Sequence, residues 1–149
     1  MSGSLDHSPA DIVRRLLISL GLGTAPSDGD SWPIAVAQEP DTPDNCITVY
    51  GTTGRGYGRH QTDGEVQGDY GIQLRVRSQT HSVGWARANA LAECLDKTIN
   101  LDAITIGEST YTVYSIGRSS PDVLELGKER GTQRYLFTIN AVCGIRQTA

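Results

Sequence analysis

Asp69-Tyr70-Gly71-Ile72-Gln73-Leu74-Arg75-Val76-Arg77 is the stretch on which the fold turns. Tyr70, Ile72, Leu74 and Val76 alternate with Gln73, Arg75 and Arg77, a period of two that predicts a strand with one buried and one wet face. Outward from it, Ser82 to Thr98 has helical spacing. Val83, Ala90, Leu91, Cys94 and Leu95 form an apolar arc opposite Asn89, Glu93, Asp96 and Lys97, so this helix is expected to lie across the sheet. Ala86, Ala88, Ala90 and Ala92 keep its surface small. A hairpin is predicted from Ala103 to Ile116, with Ile104-Thr105-Ile106 and Tyr111-Thr112-Val113-Tyr114 flanking the turn Gly107-Glu108-Ser109. After Ser119-Ser120-Pro121-Asp122 and a charged turn, Gly127-Lys128-Glu129-Arg130-Gly131, a last strand runs from Arg134 to Cys143 with Tyr135, Phe137, Ile139 and Ala141 alternating.

Upstream, Ser8-Pro9-Ala10-Asp11 reads as a helix start. Ser8 can accept from the amide three residues on, Pro9 suits the first helical position, and Asp11 complements the helix N-terminus. Ile12, Val13, Leu16, Leu17 and Leu20 share a face, and Gly21 or Gly23 supplies a left-handed stop. Ile18 falls with Arg14 and Arg15 on the polar side and is a candidate contact residue. Turn chemistry fills Thr24 to Asp30, Trp32 to Ala37 is a short strand candidate, Pro40 and Pro43 break the chain, and Ile47 to Tyr50 resumes as a strand. Gly51 to Gly68 carries six glycines, two arginines and the Asp63-Gly64 turn signal, and is expected to be a long, mobile hairpin tip. The fold class implied is α+β: a single domain over 1–149 with a mostly antiparallel twisted sheet, an N-terminal helix, a second helix packed on one face, and a long β-hairpin loop.

With 149 residues, 38% hydrophobic and 20% charged, the chain suits one domain with a real core. A formal charge of -4 argues against general attraction to nucleic acid or anionic membrane. No apolar run approaches the roughly 20 residues needed to cross a bilayer, and Met1 to Pro9 lacks the regions of a signal peptide, so a cytoplasmic site of synthesis and assembly is expected. Cys46, Cys94 and Cys143 are odd in number and set in apolar surroundings, as buried free thiols are. Charge is unevenly spread. No Lys or Arg occurs from Leu16 to Gly54, where Asp28, Asp30, Glu39, Asp41 and Asp44 lie, whereas Arg55, Arg59, Arg75, Arg77 and Arg87 follow. Separate acidic and basic patches suit head-to-tail association of copies.

Chemical motifs are sparse. There is no G-x-S-x-G, and His7, His60 and His81 lie in polar or loop segments without metal-ligand spacing. Asp28-Gly29-Asp30-Ser31 lacks the closing glutamate of a calcium loop. Gly54, Gly56 and Gly58 approach a strand rather than a helix and lack the Gly-Lys-Ser/Thr of a phosphate loop. Glu93 and Asp96 sit on the wet arc, unsuited to paired acid and base work. No catalytic, cofactor-binding or metal residue is therefore expected, and no enzyme. Gly54-Arg55-Gly56-Tyr57-Gly58-Arg59 could contact RNA or single-stranded DNA, which makes a small nucleic-acid-binding module an alternative. Arg55, Tyr57 and Arg59 in the tip, Arg75 and Arg77 on the strand, and Ile18 are the candidate protein contacts; Trp85 could be an interface anchor or cover the core edge.

Three features together resemble the tail terminator proteins of long-tailed bacteriophages, also termed minor capsid or tail completion proteins. They are the capped helix with Ile12, Val13, Leu16 and Leu17, the run Tyr70 to Arg77 leading into the alanine-rich helix, and Leu126-Gly127-Lys128-Glu129-Arg130 preceding Arg134 to Asn140. The resemblance implies a mixed α/β subunit in a hexameric ring that caps the tail tube, stops its elongation and docks to the head. It implies no cofactor. Its partners would be further copies of itself, the tail tube protein, and a neck protein such as a stopper or head completion protein. DNA would pass through an acidic lumen without specific binding, no membrane would be involved, and the protein would end in the virion. A stopper or head completion role is the alternative within phage assembly.

Overall fold

The computed structural model describes residues 5–24, 32–40, 43–52, 55–59, 66–98, 102–119, 123–128 and 133–148. Helix α1 spans Pro9–Ser19. It starts as its sequence dictates: Ser8 caps it by accepting from the Asp11 amide at 3.2 Å, with Pro9 at the first position. It ends on Gly21, whose φ of +81° lets the Leu22 amide turn back to the Leu17 carbonyl at 3.1 Å and the Gly21 amide to Ile18 at 3.0 Å. Ile12, Val13, Leu16 and Leu17 are buried.

Eight strands among the described residues form one sheet: β1 (Ile34–Val36), β2 (Cys46–Gly51), β3 (Arg55–Arg59), β4 (Val66–Ser78), β5 (Asp102–Ile106), β6 (Ser109–Arg118), β7 (Leu124–Lys128) and β8 (Tyr135–Thr148). The order is β1-β2-β4-β8-β6-β5, with β3 added to β4 and β7 to β8. Only β1 and β2 are parallel; every other pair is antiparallel. The alternating run that opens the sequence reading sits at the centre. Ile47, Val76 and Phe137 lie abreast, as do Val49, Leu74 and Ile139, and all six are buried in one core with residues of both helices. This single-domain α+β arrangement is the fold class expected from periodicity.

Helix α2 spans His81–Glu93 and passes into a π-helical turn, Cys94–Thr98. Gly84 makes its close approach possible, since a Cβ there would lie 2.6 Å from Phe137 Cε2 and 2.8 Å from Ser78 Cβ. The buried arc is Gly84, Ala88, Leu91, Ala92, Cys94 and Leu95. This corrects the predicted arc at Val83, which is 44% exposed. A glycine that seats the helix adds nothing to hydrophobicity, so the apolar count alone places the face one step off.

Two other expectations shift. The short strand expected at Trp32 to Ala37 contracts to Ile34–Val36, because Trp32 and Ala37 adopt left-handed φ of 58° and 65° and turn the chain on either side. The charged turn begins earlier as strand β7, in which Leu124 pairs with Thr138 and Lys128 with Tyr135; 129–132 lie outside the described residues. Within the expected tip at 51–68, residues 55–59 form β3 against β4, with Arg55 opposite Asp69 and Arg59 opposite Val66, while 53–54 and 60–65 lie outside the described residues. Cys46, Cys94 and Cys143 are buried thiols in no disulfide, as predicted, and burial pushes the Cys143 thiol up to about 12.

Candidate interaction surfaces

Side chains alternate across a strand, so residues interleaved with the core row point away from the helices. On that outer face Thr48, Arg75, Thr138 and Leu124 form one cross-strand row over β2, β4, β8 and β7. Thr48 and Thr138 are 0% and 3% exposed, and neither hydroxyl has a hydrogen-bond partner. Arg75 is half-buried. Its Nε is enclosed and unpartnered, and its guanidinium rests 5.7 Å from the centroid of the Tyr50 ring. Burial raises the Tyr50 phenol above its ordinary value, with Glu39 adding to the rise and Arg75 opposing it. Glu39 Oε1 is also buried without a partner. Leaving such groups unpaired costs about 1–3 kcal/mol each.

Arg77 behaves differently from its expected wet, contact-forming role. It is 2% exposed, and its guanidinium donates to the carbonyls of Pro43 (2.7 Å) and Asp44 (3.2 Å). It lies at the end of β4 beside Cys46, where the 43–45 segment crosses over it; Arg134 meets the Asp44 carboxylate at 3.5 Å. Arg77 therefore fastens a loop. Ile18 is half-buried against the core rather than standing free among the arginines. The backbone of Arg55, Tyr57 and Arg59 belongs to β3, at the far end of β4 from Arg77, so the candidate residues do not form one cluster.

Two apolar features lie elsewhere. On the solvent side of α2, Trp85 is 38% exposed and Val83 more so. Adjoining cavities of about 470 Å³ and about 340 Å³ share Ala86 and Ala90. Arg87 closes one end of this groove, over the Trp32 ring at 4.9 Å and donating to the Leu22 carbonyl at 3.0 Å, and burial lowers its pKa. Asp96 lies at the other end, in a two-point pair with Arg118 at 2.8 and 3.1 Å. The second feature is β7, which among the described residues pairs with β8 alone and exposes Leu124 and Leu126. It is tied to α2 by His81 and Glu125 at 2.6 Å. Sequence reasoning missed β7 because Pro121 precedes it and Gly127 lies within it, although Leu124-Glu125-Leu126 does carry a brief alternation.

Among the described residues no group of three or more His, Cys, Asp or Glu side chains could hold a metal ion, and no helix is long and apolar enough to cross a membrane. What the geometry offers is contact: an under-satisfied polar row that runs out to a strand edge at Leu124, and an apolar groove along α2. No curated protein matches the chain. Residues 16–143 match the model of a family described as bacteriophage tail terminator protein.

Proposed function

This chain belongs to the bacteriophage tail terminator family, and we propose that copies of it form a ring, a hexamer, which caps the head-proximal end of the tail tube. The ring stops tube elongation and presents the surface that joins the tail to the head. Family membership makes the chain a component of the virion that associates with other tail or neck proteins. The neighbours in this reading are the tail tube protein on one side and a stopper or head completion protein on the other. The role is steric, with no molecule transformed and DNA passing through the lumen unbound. Assembly takes place in the host cytoplasm.

The observation that carries the ring is the chain's set of unlike, unpartnered surfaces. A contact between identical patches closes a pair, whereas contacts between different patches on one subunit propagate head to tail and close when the rotation allows. Arg75 is the residue we assign to the subunit contact, since it is half-buried, its Nε has no hydrogen-bond partner, and no carboxylate among the described residues pairs with it. The tip residues Arg55, Tyr57 and Arg59 are proposed contacts to the tube or a neighbour, and Ile18 a peripheral one. Arg77 serves folding in this reading, so it leaves the contact set.

Arg75→Glu tests the assignment. The variant is expected to keep its fold and melting temperature but to lose ring assembly and tail capping, read by mass in solution and by labelling of tube ends. Full capping by the variant would remove Arg75 from the contact.

A further inference from the structure

Strand β7 adds nothing to the core it borders. All five of its residues, Leu124 to Lys128, are exposed, and none belongs to the buried cluster that joins both helices to the sheet. Val123, the residue before it, is buried in that cluster. The strand is thus rooted at one end and runs over the surface from there. Its hold on β8 is short: four residue pairs join the two, from Leu124 with Thr138 to Lys128 with Tyr135, and a bulge at Leu126 interrupts them, next to Gly127 with its φ of +81°. Side-chain ties are exposed ones. Glu125 meets His81 of α2 at 2.6 Å with both side chains about half exposed, and Lys128 donates to Gln133 at 2.9 Å and lies 5.3 Å from the centre of the Tyr135 ring. A cavity of about 100 Å³ remains where β7, β8 and α2 come together, lined by His81, Glu125 and Phe137 among others.

What lies beneath is held without β7. Phe137 is packed by α2 itself, against Gly84 and with the Trp85 ring at 6.1 Å, and the His81 ring rests on Tyr135 and Phe137 at 5.4 and 5.5 Å. Losing β7 therefore gives up four pairs of ladder, some exposed contacts and no core, whereas losing β4 or β8 gives up the core. Segments with few buried apolar contacts open at lower free energy than the fold as a whole. On β8, strand β6 reaches only to Ala141, so among the described residues β7 alone covers the same edge from Tyr135 to Thr138.

We propose that β7 is a releasable strap. It leaves β8 as a unit, pivoting at Val123, while the rest of the sheet and both helices stay folded, and the contact of Glu125 with His81 is the clasp that holds it shut. Closed, the strap shields the Tyr135 to Thr138 edge from pairing with other chains, as short charged strands do; released, it bares that edge. The inference stands apart from the ring reading, and its failure would leave that reading as it is.

Native-state hydrogen exchange on the full chain tests it. In water, and in urea below the unfolding transition, the amides that join β7 to Tyr135 to Thr138 are expected to exchange at least about tenfold faster than those that join β4 to the same stretch. They are also expected to show little urea dependence, because a local opening exposes little surface. Glu125→Thr removes the carboxylate and keeps a good strand former. It is expected to quicken exchange in β7 roughly two- to fivefold, with exchange in β4 and the melting temperature unchanged. A β7 that exchanges at the rate and urea slope of β4 would overturn the strap. Unchanged β7 rates in Glu125→Thr, or β4 rates that rise in step with them, would overturn the clasp.

Discussion

Arg75 and Arg77 stand two residues apart on the same strand face, yet their surroundings differ. Periodicity marks both as wet, and nothing local separates them; the difference arises because the 43–45 segment passes over one and not the other. Arg77→Ala strands the Pro43 and Asp44 carbonyls away from their donor and is expected to cost about 1–3 kcal/mol in urea unfolding. Arg75→Ala, by removing a guanidinium whose Nε has no partner, is expected to stay within about 0.5 kcal/mol of the native chain. Equal losses for the two would contradict the distinction drawn here. Cys143 adds a pH dependence. Burial raises its folded pKa to about 12, above the ordinary thiol value of 9.0, so its contribution is fully present below pH 9 and is lost as pH climbs toward 12, where the unfolded chain holds fewer protons than the folded one. The expected slope from this thiol is up to about 1.4 kcal/mol per pH unit in that window. The phenols of Tyr50, Tyr70 and Tyr111, all raised chiefly by burial, act in the same direction. Unfolding free energies that rise from pH 9 to 11 would be inconsistent with a buried, protonated Cys143.

At the scale of elements, the sequence is most legible where one period holds for two turns or more. The α1 cap at Ser8, the stop at Gly21, and the alternations of β4 and β8 are local facts about residue type, and each reappears where it is expected. Legibility fails where a tertiary neighbour decides. Gly84 turns the α2 arc because Phe137 and Ser78 need the space of its missing side chain. The short alternation from Leu124 to Leu126 becomes part of β7 because β8 is there to pair with it; nearby turn residues outweigh three alternating positions when read alone. Gly84→Ala is therefore expected to destabilise the fold by about 1–3 kcal/mol despite alanine's better helix propensity, as a shift in denaturant midpoint. A stabilised variant would mean that α2 sits farther from β8 than described.

For the whole molecule, fold class follows from patterns that any one copy contains, whereas the contact surfaces do not. Unpaired groups such as those of Thr48, Arg75 and Thr138 can be recognised only after every in-chain partner has been placed. The acidic and basic segments do announce that copies carry unlike faces. They do not say which side chains remain unmet, and Arg77 shows how a basic residue can be spent inside. The family match places the chain among bacteriophage tail terminator proteins, the setting in which we propose that those surfaces act.

Whether this protein ends tube growth is read from tail length in particles made without it. Electron microscopy of a gene-deleted phage is expected to show overlong tails of uneven length, restored to one length when the chain is supplied. Tails of normal, uniform length beside heads that leak their DNA would contradict it.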